Sequence, residues 1–258
     1  MWKRVAARKI SDLLQESPGM EGSPPTSVGG GGGGGGEIER IPVECISLVL
    51  SSTSPRDVCR SSAVSTAFLS AAESDIAWDR FLPPDLEEIL RRSSSPVAFS
   101  SRKDLYFRLC DPIPIDGGGK VLWLEKATGK KCYMLSARAL GITWGDDARY
   151  WSWISVPNAR IPEVAELLDV CWLEIRASIN SRDLSPDTSY GAYLVMRLSD
   201  SSYGLAEPPQ ETEISVGGVH ASTRSVRLQD RRAGHLYQWT VADPFDEGGT
   251  EEEEEFEE

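Results

Sequence analysis

The sequence predicts an α+β chain, a small N-terminal helical module followed by an antiparallel β-sandwich. Three observations carry this. Apolar residues between positions 38 and 111 recur at spacings of three and four, from Lys120 onward they alternate, and the stretch between, CDPIPIDGGG at 110–119, is rich in Pro and Gly.

In chain order, residues 1–36 are expected to form a disordered arm. SPPTSV runs into eight glycines at 29–36, which have nothing to bury. The glycines match a phosphate-loop pattern only trivially, because no strand precedes them and no Lys-Ser/Thr helix start follows. The first twenty residues are basic and faintly amphipathic but lack the apolar centre of a secretory signal; a transit peptide is the alternative, against which their acidic residues count. Within IPVECISLVL at 41–50, Pro42 suits a first helical turn, and Ile46, Val49 and Leu50 make one apolar stripe. Ser54-Pro55-Arg56-Asp57 reads as a helix start, with Ser as cap, Pro at the first position and a carboxylate three residues on. Val64, Ala67, Phe68 and Ala71 repeat the spacing, as do Trp78, Phe81 and Leu82, and then Leu86, Ile89 and Leu90 after Pro83-Pro84. Helices of two or three turns are marginal alone, so these are expected to bury their stripes together.

Beyond the Pro/Gly-rich stretch, VLWLEKATGKKCYMLS predicts two strands around a Thr-Gly turn. CWLEIRASI sets Cys171, Leu173, Ile175, Ala177 and Ile179 against Trp172, Glu174, Arg176 and Ser178, the alternation of a half-buried strand. YGAYLVMRLS at 190–199, ETEISVGG at 211–218 and HLYQWTV at 235–241 continue the series, which suggests a sandwich. The expected units are the arm at 1–36, a helical module at 37–82, a helical extension and linker at 83–119, the sandwich at 120–245 and an acidic tail at 246–258.

Charge narrows the partners. The net charge is −13, but nine carboxylates and no base sit in DEGGTEEEEEFEE, leaving −4 for the rest of the chain. That argues against nucleic acid, which demands a basic footprint, and the basic segment VRLQDRRAGH at 226–235 is more simply a solvated face. The five cysteines, Cys45, Cys59, Cys110, Cys132 and Cys171, are widely spaced without a CxxC pair, so neither a disulfide framework nor a metal site is expected. No apolar run has the length of a membrane span. With two histidines, His220 and His235, and no nucleophile-base spacing, no catalytic residues and no cofactor are expected.

GITWGDDARYWSW at 141–153 places three tryptophans and a tyrosine around a charged, turn-like segment. Trp151 and Trp153 fall on one face of an extended segment, and Asp146 and Asp147 on the turn before it. Core packing is an open reading for Trp144 and Trp151 and the favoured one for Trp153, Trp123 and Trp172, and shaping a turn is the favoured one for the two aspartates.

Residues 38–82, IERIPVECISLVLSSTSPRDVCRSSAVSTAFLSAAESDIAWDRFL, resemble an F-box: an Ile-Pro start, an apolar first helix, a Pro-x-Asp-Val-x-Arg turn, a Val-x-x-x-Phe stretch and a late Trp. The resemblance implies docking onto the Skp-type adaptor of a cullin-RING ubiquitin ligase. It assigns Ile41, Pro42, Ile46, Leu50, Val58, Cys59, Val64, Phe68 and Trp78 to adaptor contact or to the packing that presents it. For Ile46, Val64 and Phe68 the module's own core is an equal alternative.

Residues 121–241, with the block KKCYMLSARALGITWGDDARYWSW, then VCWLEIRASI and TSYGAYLVMRL, resemble the plant phloem-protein-2 lectins, to which tobacco leaf lectin also belongs. That resemblance implies a β-sandwich binding N-acetylglucosamine oligomers or the N-glycan core in cytoplasm and nucleus, and it places the sugar-binding tryptophans of the relatives on Trp144 and Trp151. A sugar presents an apolar C–H face and a polar rim, so under this resemblance Trp153, sharing the face of Trp151, is a further candidate ring, and Asp146 and Asp147 are candidate hydroxyl acceptors. The chain departs from the lectin pattern after HLYQWTVADPF, where the acidic run replaces the usual last segment, so no position matches the later sugar-contacting residues. Together the two resemblances imply a non-catalytic substrate receptor that presents a glycoprotein or other target to the ligase. The alternative is a protein-recognition module that no longer binds carbohydrate.

Overall fold

The structure is a computed structural model describing residues 3–6, 41–157, 159–205 and 207–228. The glycine run, the expected strand at 235–241, His235 and the acidic tail lie outside the described residues. A short strand β1 (Lys3–Ala6) pairs antiparallel with β9 (Arg197–Tyr203).

Six helices follow among the described residues: α1 (Val43–Leu50), α2 (Pro55–Ser61), α3 (Thr66–Glu73), α4 (Asp75–Asp79), α5 (Leu86–Arg92) and α6 (Arg102–Cys110). None exceeds nine residues, so their ends weigh heavily, and serine supplies four of the six N-caps. Ser54 Oγ accepts from Asp57 N at 3.2 Å, Ser65 from Phe68 at 3.3 Å, Ser74 from Ile76 at 3.3 Å and Ser101 from Asp104 at 3.1 Å. The start predicted at Ser54 is thus present, with the Ser54 hydroxyl also donating to the Asp57 carboxylate at 2.7 Å.

These helices close around Trp78, which has no exposed surface. Its indole N–H donates to the Ala72 carbonyl at 2.7 Å, and its ring meets Phe81, Tyr106 and Phe107 at centroid distances of 5.9, 5.2 and 5.3 Å. The same core, with Ile46, Leu50, Val58, Ala71, Ile89 and Leu105, continues without a break into Ile115, Leu122 and Leu124 of the first sheet.

That sheet corrects the linker reading. CDPIPIDGGG supplies β2 (Ile113–Ile115), which pairs with β3 (Lys120–Leu124), and β3 pairs with β4 (Lys131–Leu135). Pro114 is tolerated because β2 is an edge strand. The Gly-rich part is the return to β3, with Gly117 at φ 66° and Gly118 at φ 87°. The β3–β4 turn sits hard against the helices: at Gly129, φ 72°, a Cβ would fall 2.8 Å from the Phe81 carbonyl oxygen, so only glycine fits.

The remaining strands are also antiparallel. β5 (Gly141–Ile142) pairs with β8 (Ile175–Arg176), β6 (Trp151–Ser155) with β7 (Glu163–Leu167), and β10 (Gln210–Val216) with β11 (Val219–Val226) across the positive-φ pair Gly217-Gly218. The α+β order expected from the sequence is observed, with one three-stranded and four two-stranded ladders among the described residues. Two predicted strands are shorter than expected. Of CWLEIRASI only Ile175 and Arg176 join a ladder, and the strand expected at 190–199 starts at Arg197. Alternation reports which side chains turn inward, as Leu173 and Ile175 do against Trp151, Leu167 and Val170; it does not supply a neighbouring backbone to pair with.

A charge cluster ties the helices to the β region. Arg92 donates to Asp116 at 2.8 and 2.9 Å and to Asp183 at 2.8 Å, and Lys120 lies 3.4 Å from Asp183. Tyr133 OH donates to the Asp183 carbonyl at 2.7 Å. The hydrogen bond from Arg92 holds the Asp116 carboxyl below its ordinary range. Burial would raise Asp183, but Arg92 and Lys120 outweigh it and that carboxyl is lowered too. A depressed folded-state value means that the stabilisation is present above the unfolded pKa of about 3.9 and is lost as pH falls through the folded value. The melting temperature is therefore expected to fall steeply below about pH 4, and less steeply in Asp183→Asn, as differential scanning fluorimetry across pH 3–7 would record.

Candidate functional site

Two surfaces stand out, one on the helices and one on the loop before β6. Helix α1 is apolar nearly all round, VECISLVL, and α3 and α4 cover only one side of it. Ile46 and Leu50 face inward, while Cys45, Leu48 and Val49, at spacings of three and four, face out, with Leu48 62 % and Val49 67 % exposed. The stripe reading of Val49 is thereby corrected: α1 carries two apolar stripes, and Val49 belongs to the uncovered one. Ile41, Pro42 and Cys59 are exposed, as is Val64, which precedes α3 instead of lying within it. Phe68 is half-buried against the core. Ile46, Leu50, Val58 and Trp78 are buried and belong to the packing that presents this surface. Leu48 is the residue that sequence reasoning missed, and the signal was the all-round apolar character of α1.

The second surface is built by residues 143–153. The chain winds through consecutive tight turns, with Gly145 N donating to Ile142 O and Asp147 N to Trp144 O, both at 2.9 Å, and Trp151 N to Asp147 O at 3.0 Å. Trp144 holds φ 58°, a left-handed conformation costing a bulky residue on the order of 1–2 kcal/mol. Such strain concentrates where a side chain must be presented in one direction. Its ring lies 4.6 Å from that of Trp172 and 5.2 Å from that of Tyr150.

The two tryptophans of β6 hold this loop from beneath. Trp151 Nε1 donates to Thr143 O at 3.1 Å and Trp153 Nε1 to Gly145 O at 3.0 Å, as two residues on one strand face can. Trp151 is buried in the core with Leu167 and Val170. Trp153 is half-buried under the Arg138 guanidinium, 3.5 Å from the ring centroid, and Arg138 in turn grips Glu163 at 2.8 and 2.9 Å.

Among the loop carboxylates, Asp146 is exposed. Asp147 accepts from Arg149 N at 3.0 Å and from the Arg149 guanidinium at 2.6 Å, and hydrogen bonding to Arg149 lowers its pKa to about 2. It therefore fixes the turn as well as edging it.

Trp172 corrects another expectation. Read as a core residue, it is 56 % exposed and forms the open edge of the ring cluster. Its place in the alternation, beside Glu174 and Arg176 and opposite Leu173 and Ile175, was the signal. Glu174 supplies the nearby polar group, accepting from Thr143 Oγ1 at 2.6 Å and from Arg176 at 2.5 Å, with its carboxyl lowered first by Thr143 and then by Arg176. Trp123 is half-buried, with Arg160 5.4 Å over its ring. Among the described residues no cluster of His, Cys, Asp or Glu has the arrangement to hold a metal, and no helix is long and apolar enough to cross a membrane.

Comparison with known proteins places both surfaces in recognised domains. The F-box domain matches residues 38–80 and Phloem protein 2 matches residues 130–255, a span that ends inside the acidic run. The Arabidopsis thaliana F-box protein PP2-B10 is 47 % identical, the alignment covering 73 % of this chain and 68 % of that protein. The putative F-box protein PP2-B12 of the same plant is 44 % identical, over 74 % of each chain. This chain belongs to the F-box/phloem-protein-2 family. Other F-box/phloem-protein-2 relatives are longer: the chain spans about 60 % of the putative F-box protein PP2-B2, with 45 % identity over 73 % of its own length. No solved structure matches. Within the family organisation, the uncovered stripe of α1 lies in the F-box, and the ring cluster lies in the phloem-protein-2 domain.

Proposed function

We propose that this F-box/phloem-protein-2 chain is the substrate-recognition subunit of a cullin-RING ubiquitin ligase. The observation that carries this reading is the second apolar stripe of α1: Leu48 and Val49 stay open although the module's own core is filled around Trp78. An apolar helix face left in water is stabilised by a partner, and the F-box match supports a Skp-type adaptor in that role. In this reading the chain performs no chemistry; it binds at both ends, and other subunits transfer ubiquitin. Its place of work is the cytoplasm and nucleus, where such ligases assemble.

For the target end, the exposed Trp172 beside Trp144 and Tyr150, edged by Glu174 and Asp146, suits a sugar ring with its C–H face on the aromatics and hydroxyls on the carboxylates. We assign N-acetylglucosamine oligomers or the N-glycan core of a target glycoprotein to this platform. Titrating the full chain with a chito-oligosaccharide in a calorimeter tests it: saturable heat is expected. A protein-only target is the second reading, favoured by how far Asp147, Glu163 and Glu174 are already paired with Arg149, Arg138 and Arg176. No heat with sugar, but glycan-independent capture of one cellular protein lost on Trp172→Ala, would establish that reading instead.

A further inference from the structure

Among the described residues β9 pairs with one strand, β1, and that strand comes from the opposite end of the sequence. Lys3–Ala6 belong to the arm that precedes the F-box, so four residues expected to lack structure are laid along a sheet edge in the β region. Residues 7–42 join β1 to α1, and eight consecutive glycines stand among them. Glycine chains behave as random coils, and the cost of closing a loop grows only slowly with its length. A tether of that kind presents a segment to its site at an effective concentration on the order of millimolar.

The fit of β1 to this edge is imperfect. Ala6 pairs with Arg197, Val5 with Leu198 and Lys3 with Tyr203, so two steps along β1 span five along β9. The register breaks between Val5 and Lys3, and β9, with seven residues, offers a longer ladder than a strand of four can use. Main-chain pairing supplies the affinity when a strand is added to a sheet edge, so a segment that kept step with β9 would pair at more positions than β1 does.

The surroundings define what such a segment carries. Leu198 packs against the apolar cluster of Met196, Leu205 and Leu228, and cross-strand partners share a sheet face, so the position opposite Leu198 calls for an apolar residue. β1 also comes close to β7, which pairs with β6, and β7 with the residues after it carries Glu163, Glu166 and Asp169. Asp169 lies near the far end of β9: desolvation first, and then the Asp169 charge, push up the Tyr203 phenol. The sequence of β1 suits this setting, Lys-Arg-Val-Ala, two cations ahead of two apolar residues.

We propose that the edge of β9 is a strand-addition site for an extended peptide segment of a partner protein, two basic residues followed by an apolar one, and that β1 is its resident competitor. The segment enters antiparallel to β9, with its apolar residue opposite Leu198 and its cations toward Tyr203 and Asp169. The site is separate from the ring cluster and from the open face of α1, so the inference rests on neither the carbohydrate assignment nor the ligase reading. It gives the phloem-protein-2 region a second way to read a target, through its backbone.

The test uses the full chain and a fluorescein-labelled peptide of residues 1–10, MWKRVAARKI. Val5→Pro in the chain removes a backbone donor from β1 and leaves β9 untouched. Fluorescence anisotropy is expected to show saturable binding to the Val5→Pro chain, at least about tenfold tighter than to the parent, whose tethered strand competes at its effective concentration. The same peptide carrying Val5→Pro should not bind. It keeps the charge of the first, so attraction to the acidic run of the chain would show with both. A peptide carrying Lys3→Glu/Arg4→Glu should bind at least about tenfold more weakly, the difference made by two reversed charges beside carboxylates. Hydrogen exchange locates the site: the amides of residues 198–203 are expected to exchange slowly in the parent, faster in Val5→Pro and slowly again once peptide is added. Equal affinity for the parent and the Val5→Pro chain, binding to neither, or undiminished binding of the proline or charge-reversed peptide overturns the proposal.

Discussion

Trp78→Ala is expected to destabilise the chain by about 3–5 kcal/mol, the cost of emptying a fully enclosed aromatic site. The ring touches Phe81, Tyr106 and Phe107, and its removal also strips the Ala72 carbonyl of a buried donor. Set against a total domain stability of about 5–15 kcal/mol, such a loss brings the folded state close to its limit. Because one core runs from Ile46 through Trp78 to Leu122 and Leu124, the helices and the β2–β3–β4 sheet should lose stability together. Urea titration read by far-UV circular dichroism for the helices, and by a fluorophore placed at Cys132 for the sheet, would show coincident midpoints shifted by the same amount. Separate midpoints would mean that the F-box and the sheet are independent units.

The second large effect is a crossover between two tryptophans. Trp151→Ala removes a buried ring from the core with Leu167 and Val170 and cuts the indole N–H tether to Thr143, so a loss of about 3–5 kcal/mol is expected. Trp172→Ala deletes a largely exposed ring, and its cost to stability should stay within about 0.5 kcal/mol. Chito-oligosaccharide affinity should respond in the opposite order, vanishing in Trp172→Ala. In Trp151→Ala, measured well below its lowered melting temperature, it should persist to the extent that the Trp144 loop stays in place. Full affinity in Trp172→Ala would take the sugar off this platform.

What the sequence reveals here follows the range of the forces involved. The cap at Ser54 and the β3–β4 hairpin were legible because each is settled by residues within a few positions of one another. β2 was not: Ile113-Pro114-Ile115 becomes a strand only because β3 arrives beside it, and its local composition suggests a linker. Which side of α1 is buried was equally hidden, since VECISLVL offers two apolar stripes and only the arrival of α3 and α4 chooses between them. At the ring cluster the loop was located correctly, but the roles within it depend on distant contacts. Trp151 is enclosed by Leu167 and Val170, and Trp144 finds its neighbour in Trp172. The polar company of Trp172, Glu174 and Arg176 was a readable sign of exposure outweighed by the general habit of tryptophan to be buried.

The central claim, that the open face of α1 docks a Skp-type adaptor, is tested most directly by binding of the full chain to immobilised adaptor, beside Leu48→Asp/Val49→Asp. Both side chains are exposed, so the variant should melt with the parent chain. Two carboxylates buried without partners in an apolar interface should abolish saturable binding. Parent-like affinity in that correctly folded variant would contradict the account.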